Sequence, residues 1–552
     1  MQGLIGPLKE LAEFEELCKN KKKDVGMIRV CGCVNSQKSH MMYALGDGCK
    51  YKVIACSSET KAKQIYEEYR FLDSNTYLYP AKDFLFYQAD IRSKELVKQR
   101  MEGIQAVLSG EPVTVVTSLD GFMDHLAPKE SIAEKVLKVQ NDSVLKLDEM
   151  AEKLSVIGYD REVQVEGPGQ FAVRGGILDI YPLTEELPVR IELWGDEVDS
   201  IRTFDVESQR SIENLMDIVI YPAVEFPQNG EKGVSFLDYF PPEDTILFLD
   251  EPVRLVERGQ NIEDEFMEAQ KKRLESGYDL EEEEAKIFPV TEILKKINCY
   301  SSIGFYALGM KCKGLEVRES YEIQAKSVNP YNNSFEMLTQ DLKRLKRNGY
   351  RVILLSGSRT RAKRLAEDLR DYNLSSYYSE DLDREVKPGE IMTAYGYIAE
   401  GYEYPMLKFT VIAESDIFGK RKKKKKRKTY EGRKIQSFSE LKPGDYVVHE
   451  NHGVGVYQGI EKIVVDKISK DYMKISYAQG GNLYIPATQL DLIQKYASAD
   501  AKKPKLNKLG TQEWNRTKTK VRGAVKEIAR DLVKLYAARQ EQDGYVYGED
   551  TV

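Results

Sequence analysis

The 552-residue chain has no apolar run near the roughly 20 residues that a bilayer span requires. Its opening, MQGLIGPLKELAEFEELCKNKKKDVGM, lacks the basic start, apolar stretch and cleavage site of an export signal, so a cytoplasmic protein with no membrane partner is expected. Cysteine is sparse and odd in number: Cys18, Cys31, Cys33, Cys49, Cys56, Cys299 and Cys312 include no C-x-x-C pair. That argues against a disulfide framework and a zinc knuckle, and the seven read as reduced core residues. Of only four histidines, His449 and His452 lie three apart beside Asn451 with no acidic or thiol companion at ligand spacing. Gly453 and Gly455 mark a tight β turn there, so no metal is expected. No Ser-His-Asp, Cys-His or paired-carboxylate arrangement stands out, which favours a binder over an enzyme.

What is present suffices for several cores. At 41% hydrophobic and this length, four or five domains are expected rather than one. The net charge of −7 hides an asymmetry: residues 420–552 carry 29 Lys+Arg against 16 Asp+Glu, or +13, leaving −20 for residues 1–419. An acidic body with a basic tail implies that DNA or an acidic protein surface engages the C-terminal part.

The fold class expected is multidomain α/β and α+β. In residues 1–127, short β runs (IRVCGCV, YKVIACS, TYLYP, VTVVTS) alternate with amphipathic stretches such as Glu59–Leu72, the layout of a parallel sheet. Residues 128–210 change to short strands with glycine corners, including Phe171–Ile180 and Val189–Trp194, and read as an inserted α+β module. In 211–325 the strand TILFLD at 245–250 is placed to complete the first sheet. A separate βα domain occupies 326–419, with helix 335–348, strand Tyr350–Leu355 and helix 359–371. Residues 420–428, KRKKKKKRK, repel one another and open a basic linker reaching 438. The competing reading makes them an arm that touches DNA through Lys420, Arg421, Lys424 and Arg427. Five β runs in 439–500 suit a small β-barrel. In 501–552, Val521, Val525, Ile528, Leu532 and Leu535 predict a long helix over 512–541.

One segment sits where a phosphate loop would. Gly32-Cys33-Val34-Asn35-Ser36-Gln37-Lys38-Ser39 follows a strand and precedes a helical pattern. Gln37 replaces the second glycine, whose freedom lets the backbone N–H groups wrap a phosphate, so Lys38 and Ser39 survive without the cradle. Asp250 and Glu251, after TILFLD, are the matching carboxylates of an ATPase strand. The competing reading is an active nucleotide-hydrolysing, helicase-like enzyme using Lys38 and Glu251.

The segments EGPGQFAVRGGILDIYP (166–182) and PVRIELWGDEVDSIRTFDVESQRS (188–211) resemble the UvrA-binding domain shared by UvrB and the bacterial transcription-repair coupling factors. LKPGDYVVHENHGVGVYQGIEKIV and DYMKISYAQGGNLYIPATQLDLIQKYA, within 441–497, resemble the polymerase-interacting CarD-like domain, which UvrB lacks. With the phosphate loop broken and no long Tyr-rich hairpin in YPAKDFLFYQADIRSKELVKQRMEG, the resemblance is to the coupling factors, not UvrB. It implies a degenerate helicase-like sheet carrying the UvrA-binding module, a Tudor-like barrel at 439–500, and a linker helix leading to a motor that the chain lacks. UvrA would be gripped through Arg174 and Phe171, taken to share one face of a strand, and through Arg161, unless the family's basic residue falls at the position of Asp160. The barrel would dock on the RNA polymerase β subunit by strand pairing along an exposed edge at Tyr472, Met473, Lys474 and Ile475, with the buried face left open between Met473/Ile475 and Lys474. No cofactor is implied for the chain itself; ATP, Mg²⁺ and most contact with upstream duplex DNA would belong to the motor.

Overall fold

The computed structural model describes residues 1–82, 94–275, 286–419, 441–465, 468–486, 492–496, 503–521 and 524. It divides into two units, one of Met1–Tyr87 with Glu95–Arg427 and one of Gln88–Lys94 with Lys428–Val552. The basic run with Lys420, Arg421, Lys424 and Arg427, and the helix expected beyond 524, lie outside the described residues.

The first unit begins with strands β1 (Gly26–Cys31), β2 (Tyr51–Cys56), β3 (Thr76–Tyr79) and β4 (Val113–Ser118). An insertion comes next, with β5 (Leu137–Gln140), β6 (Asp160–Arg161), β7 (Gln170–Arg174), β8 (Ile177–Tyr181), β9 (Val189–Trp194), β10 (Glu197–Phe204), β11 (Ser211–Leu215) and β12 (Asp217–Ile220). The chain then supplies β13 (Thr245–Asp250), β14 (Ser301–Phe305) and β15 (Val317–Glu322). These join β1–β4 in one parallel sheet ordered β15-β1-β14-β13-β2-β4-β3. As expected, TILFLD completes the first sheet. Its residues and those of VTVVTS are buried throughout, as a parallel sheet covered on both faces requires.

The insertion's six-stranded sheet runs β11-β10-β9-β8-β7-β6, and β5 pairs with β12, so the module continues past residue 210 to Ile220. Helix Leu147–Val156 packs Met150, Ala151 and Leu154 against Phe171, Leu178, Ile180 and Ile191 on the inner face. Where the chain enters and leaves the module, one side chain holds both passes. Arg100 is fully buried, with Nε 2.8 Å from Glu225 Oε1, Nη2 2.6 Å from Asp124 Oδ2, and its guanidinium 4.5 Å from the centre of the Tyr79 ring.

The last part of this unit adds β16 (Lys326–Ser327), β17 (Arg351–Ser356), β18 (Ser376–Ser379), β19 (Ile391–Tyr395), β20 (Tyr402–Tyr404) and β21 (Phe409–Ala413), in the order β16-β20-β21-β17-β19-β18. Helices Phe335–Arg347 and Arg359–Asp371 start on Ser334 and Ser358, whose hydroxyls accept from the backbone N–H groups of Met337 and Arg361. This domain is not separate, contrary to the sequence expectation. Ile353, Leu355, Tyr402, Tyr404 and Phe409 share one core with Met41, Leu45, Ile65 and Tyr69 of helices Asn35–Leu45 and Glu59–Leu72.

The second unit holds β22 (Tyr446–His449), β23 (Gly453–Val465), β24 (Ile468–Ser476), β25 (Asn482–Pro486) and β26 (Ile493–Lys495), an antiparallel sheet ordered β25-β24-β23-β22-β26. Val447, Tyr457, Met473, Ile475 and Ile485 form its core. The chain returns at Asn507, whose N–H donates to Val454 O and whose Oδ1 accepts from Val454 N. Trp514, at the head of a described helical stretch 513–521, donates its indole N–H to Glu450 O at 2.7 Å. Among the described residues no helix is long and apolar enough to cross a membrane.

Candidate functional sites

The loop after β1 is packed with protein where a phosphate loop would hold its ligand. Gly32 has φ +81°, and a Cβ there would lie 1.9 Å from Ile323 O, so its freedom serves a close chain crossing. The Cys33 N–H donates to Tyr306 O and the Val34 N–H to the Gln37 side chain, so two of the amides a phosphate would use are taken. Gln37 Nε2 then donates to the Tyr404 hydroxyl, and His40 bridges that hydroxyl at 2.9 Å and Leu4 O at 2.7 Å. Ser36 and Ser39 donate to the buried carboxylate of Glu68, which also accepts from Ala399 N. The space left beside these groups is about 10 Å³, room for one water.

Lys38 is buried, with Nζ 2.9 Å from Asp250 Oδ1 and 2.8 Å from Glu251 Oε1. Burial alone would lower its pKa; the two carboxylates outweigh that and hold it above the ordinary lysine value. Glu251 adopts φ +51°, a strained conformation for a non-glycine residue, and its Oε1 also accepts from Ala307 N. The loop therefore does not fit a triphosphate: its lysine is neutralised, two of its amides are occupied, and Tyr404 of β20 caps Gln37. Sequence reading singled out Gly32, Gln37, Lys38 and Ser39 but missed Glu68, on an amphipathic helix, and His40, on a helix buried nearly all round, neither of which belongs to a motif.

In the inserted module Phe171 and Arg174 do not share a face, which corrects the sequence expectation. They are three positions apart, and strand side chains alternate, so they point to opposite sides. Phe171 is fully buried in the module core. Arg174 is exposed on the outer side and donates to Asp179 Oδ2 at 2.8 Å. Asp179, itself buried, takes a bidentate grip from Arg190, whose guanidinium lies 4.4 Å from the centre of the Phe204 ring. Arg161 is exposed on β6, an edge of this sheet. The sequence reading passed over Trp194, which is 85% exposed. It was legible: in VRIELW, Val189 and Ile191 are buried, so Arg190, Glu192 and Trp194 face outward with Arg174.

Tyr472, Met473, Lys474 and Ile475 were expected on an exposed edge, but β24 is hydrogen-bonded to β23 on one side and to β25 on the other. A 13-residue β23 supplies the neighbour that the sequence reading divided into two runs. Met473 and Ile475 face the core. Lys474 faces outward, with Nζ 2.9 Å from Glu461 Oε1 and over the Tyr484 ring, and Tyr472 shares its side of the strand. The edge strands are β25, carrying exposed Tyr484, and β26.

A model of the UvrB interaction domain matches residues 137–226, and a model of the CarD-like/TRCF RID domain matches residues 441–497. The Transcription-repair-coupling factor of Bacillus subtilis is 30% identical, across 98% of this chain and 51% of its own length. That of Staphylococcus haemolyticus is 29% identical across 87% and 45%, and that of Staphylococcus epidermidis 29% identical across 87% and 46%. The chain spans about half the length of these curated relatives. Two matched domains in this order, and a likeness that runs along nearly the whole chain, make it a relative of the transcription-repair-coupling factors over about half of their length.

Proposed function

We propose that the chain is an adaptor that holds UvrA and a stalled RNA polymerase on one scaffold for nucleotide excision repair. The observation that carries this reading is the outward face of the β11–β6 sheet, where Trp194 stands 85% exposed and Arg174 is anchored on a buried carboxylate. An exposed aromatic on the same sheet face as an arginine held in place by an ion pair is the composition of a binding hot spot, and the ion pair leaves that arginine little side-chain entropy to lose on docking. Arg161, at the β6 edge, is in register with Phe171 and so offers a separate contact from the opposite side of the sheet. Phe171 contributes by holding β7 against the module core.

The 441–497 domain docks on the polymerase β subunit, with strand addition at the β25 edge and Tyr472, Lys474 and Tyr484 on the exposed side of the sheet. ATP and Mg²⁺ act in a motor belonging to a longer protein, which also makes the main contact with upstream duplex DNA; the Lys38 loop binds neither. Titration calorimetry of the chain with UvrA is the test. Arg174→Ala and Trp194→Ala should each weaken binding by about 1–2 kcal/mol or more while circular dichroism stays unchanged. Undiminished affinity in both variants would remove this surface from the interaction. Capture of purified β subunit by the chain tests the second partner, and no capture would count against it.

A further inference from the structure

A row of alternating cations and rings crosses the carboxyl ends of β17, β19 and β18 and continues onto helix Glu59–Leu72. Phe71 stands 5.7 Å, edge to face, from Tyr395 at the end of β19. The guanidinium of Arg359 lies 5.1 Å from the Tyr395 ring centre. One helical turn on, Lys363 Nζ lies 5.1 Å from the ring of Tyr378. Arg70, next to Phe71 in the chain, is exposed and donates to the Tyr66 hydroxyl.

The charge pattern is unusual for a helix start. Arg359, Arg361, Lys363 and Arg364 occupy the first two turns of helix Arg359–Asp371, with no acidic residue in the first turn. Helix dipoles favour the opposite arrangement, so these cations raise an already positive potential. Glu414 neutralises Arg361, and Lys363 shares a solvent-exposed pair with Glu380 that is weak in water. Arg359 and Arg364 make no ion pair among the described residues. Tyr395 is 39% exposed, so ring surface is open to solvent beside Arg359, while Tyr397, 42% exposed, stands next to the Glu67 carboxylate.

We infer that this row binds single-stranded nucleic acid. Guanidinium and ammonium groups along a strip attract a phosphate backbone, and exposed rings between them stack unpaired bases of any sequence. A duplex keeps its base faces covered, and an acidic peptide offers none. The proposal concerns a domain to which the adaptor reading gives no partner, and it is independent of that reading.

The test is fluorescence anisotropy with labelled oligo-dT and oligo-U, using the full chain with residues 420–428 replaced by glutamine so that the basic run cannot mask the result. Both strands should bind with steep salt dependence, and the tighter of the two identifies DNA or RNA as the natural ligand. Arg359→Gln with Lys363→Gln should weaken binding at least about fivefold, Tyr395→Ala by a similar factor, and Tyr395→Phe should leave it intact. The substituted side chains are on the surface or keep the ring, and circular dichroism checks the fold. Affinity unchanged by the double variant or by Tyr395→Ala, or a duplex bound as tightly as the single strand, overturns the assignment.

Discussion

Lys38 Nζ lies 2.9 Å from Asp250 Oδ1, inside the protein, and so ties the loop after β1 to the end of β13. In a working nucleotide site those two groups would face each other across a phosphate and its metal ion. Here they meet directly, and the pair holds adjoining segments of a scaffold together.

Lys38→Met should therefore cost stability without affecting nucleotide affinity. It leaves buried Asp250 and half-buried Glu251 without their cation, a loss of about 3–5 kcal/mol in urea unfolding. Because the lysine pKa is raised in the folded chain, its contribution is complete at neutral pH and is lost only as pH climbs through that raised value. A loss below about 1 kcal/mol would show that the pair is not maintained in solution.

His40 gives acid sensitivity to the same seam. Burial lowers its pKa from the ordinary 6.5 to about 4, although its bond to Leu4 O acts in the other direction. The ring donates from Nε2 to Leu4 O, so Nδ1 accepts from Tyr404 in the neutral form. A depressed histidine contributes stability that is present above pH 6.5 and is lost as pH falls toward 4, by about 3 kcal/mol at most. His40→Gln should flatten the dependence of unfolding free energy on pH over that window. If the variant and the parent show the same slope, the ring is not held neutral there.

Arg190 and Arg174 grip the same carboxylate but should behave differently. Arg190→Ala strips the bidentate partner from buried Asp179 and should destabilise the chain by about 2–3 kcal/mol. Arg174→Ala leaves that grip in place and should change thermal unfolding by about 1 kcal/mol or less, since its own head group is half exposed. Equal losses would mean that Arg174 is a structural residue rather than one free to meet a partner.

Gly453→Ala tests the coupling between the 441–497 sheet and the helical stretch 513–521. Gly453 has φ +80°, and an added Cβ would lie 2.4 Å from Asn507 Oδ1 and 3.0 Å from the Trp514 ring. The substitution should release the Trp514–Glu450 hydrogen bond and red-shift the emission of that tryptophan. An unshifted spectrum would show that the turn yields and the contact survives.

Local chemistry made much of this fold legible. Short apolar runs marked β4 and β13, helical patterns marked the helices near 335 and 359, and Gln37 in place of a glycine marked a loop without the usual phosphate cradle. Long-range placement was not legible. Alternation and helical periodicity say which side of an element is buried but not what covers it, so nothing local foretold that Tyr404, 367 positions away, would cap Gln37. The same limit hid the second neighbour of β24, which turned an expected edge into an interior strand. Phe171 and Arg174 are a different case: the two-residue period was there in the sequence and was misapplied.

Arg100 anchors the insertion at both of its crossings, through Asp124 on the way in and Glu225 on the way out. A load applied to the module by a bound partner thus meets, beside the backbone bonds of Leu126 with Val234 and Ala127 with Glu225, a guanidinium wedged against Tyr79 at the border strand of the seven-stranded sheet. Both passes of the insertion therefore reach the rim of that sheet through one buried, ion-paired cluster.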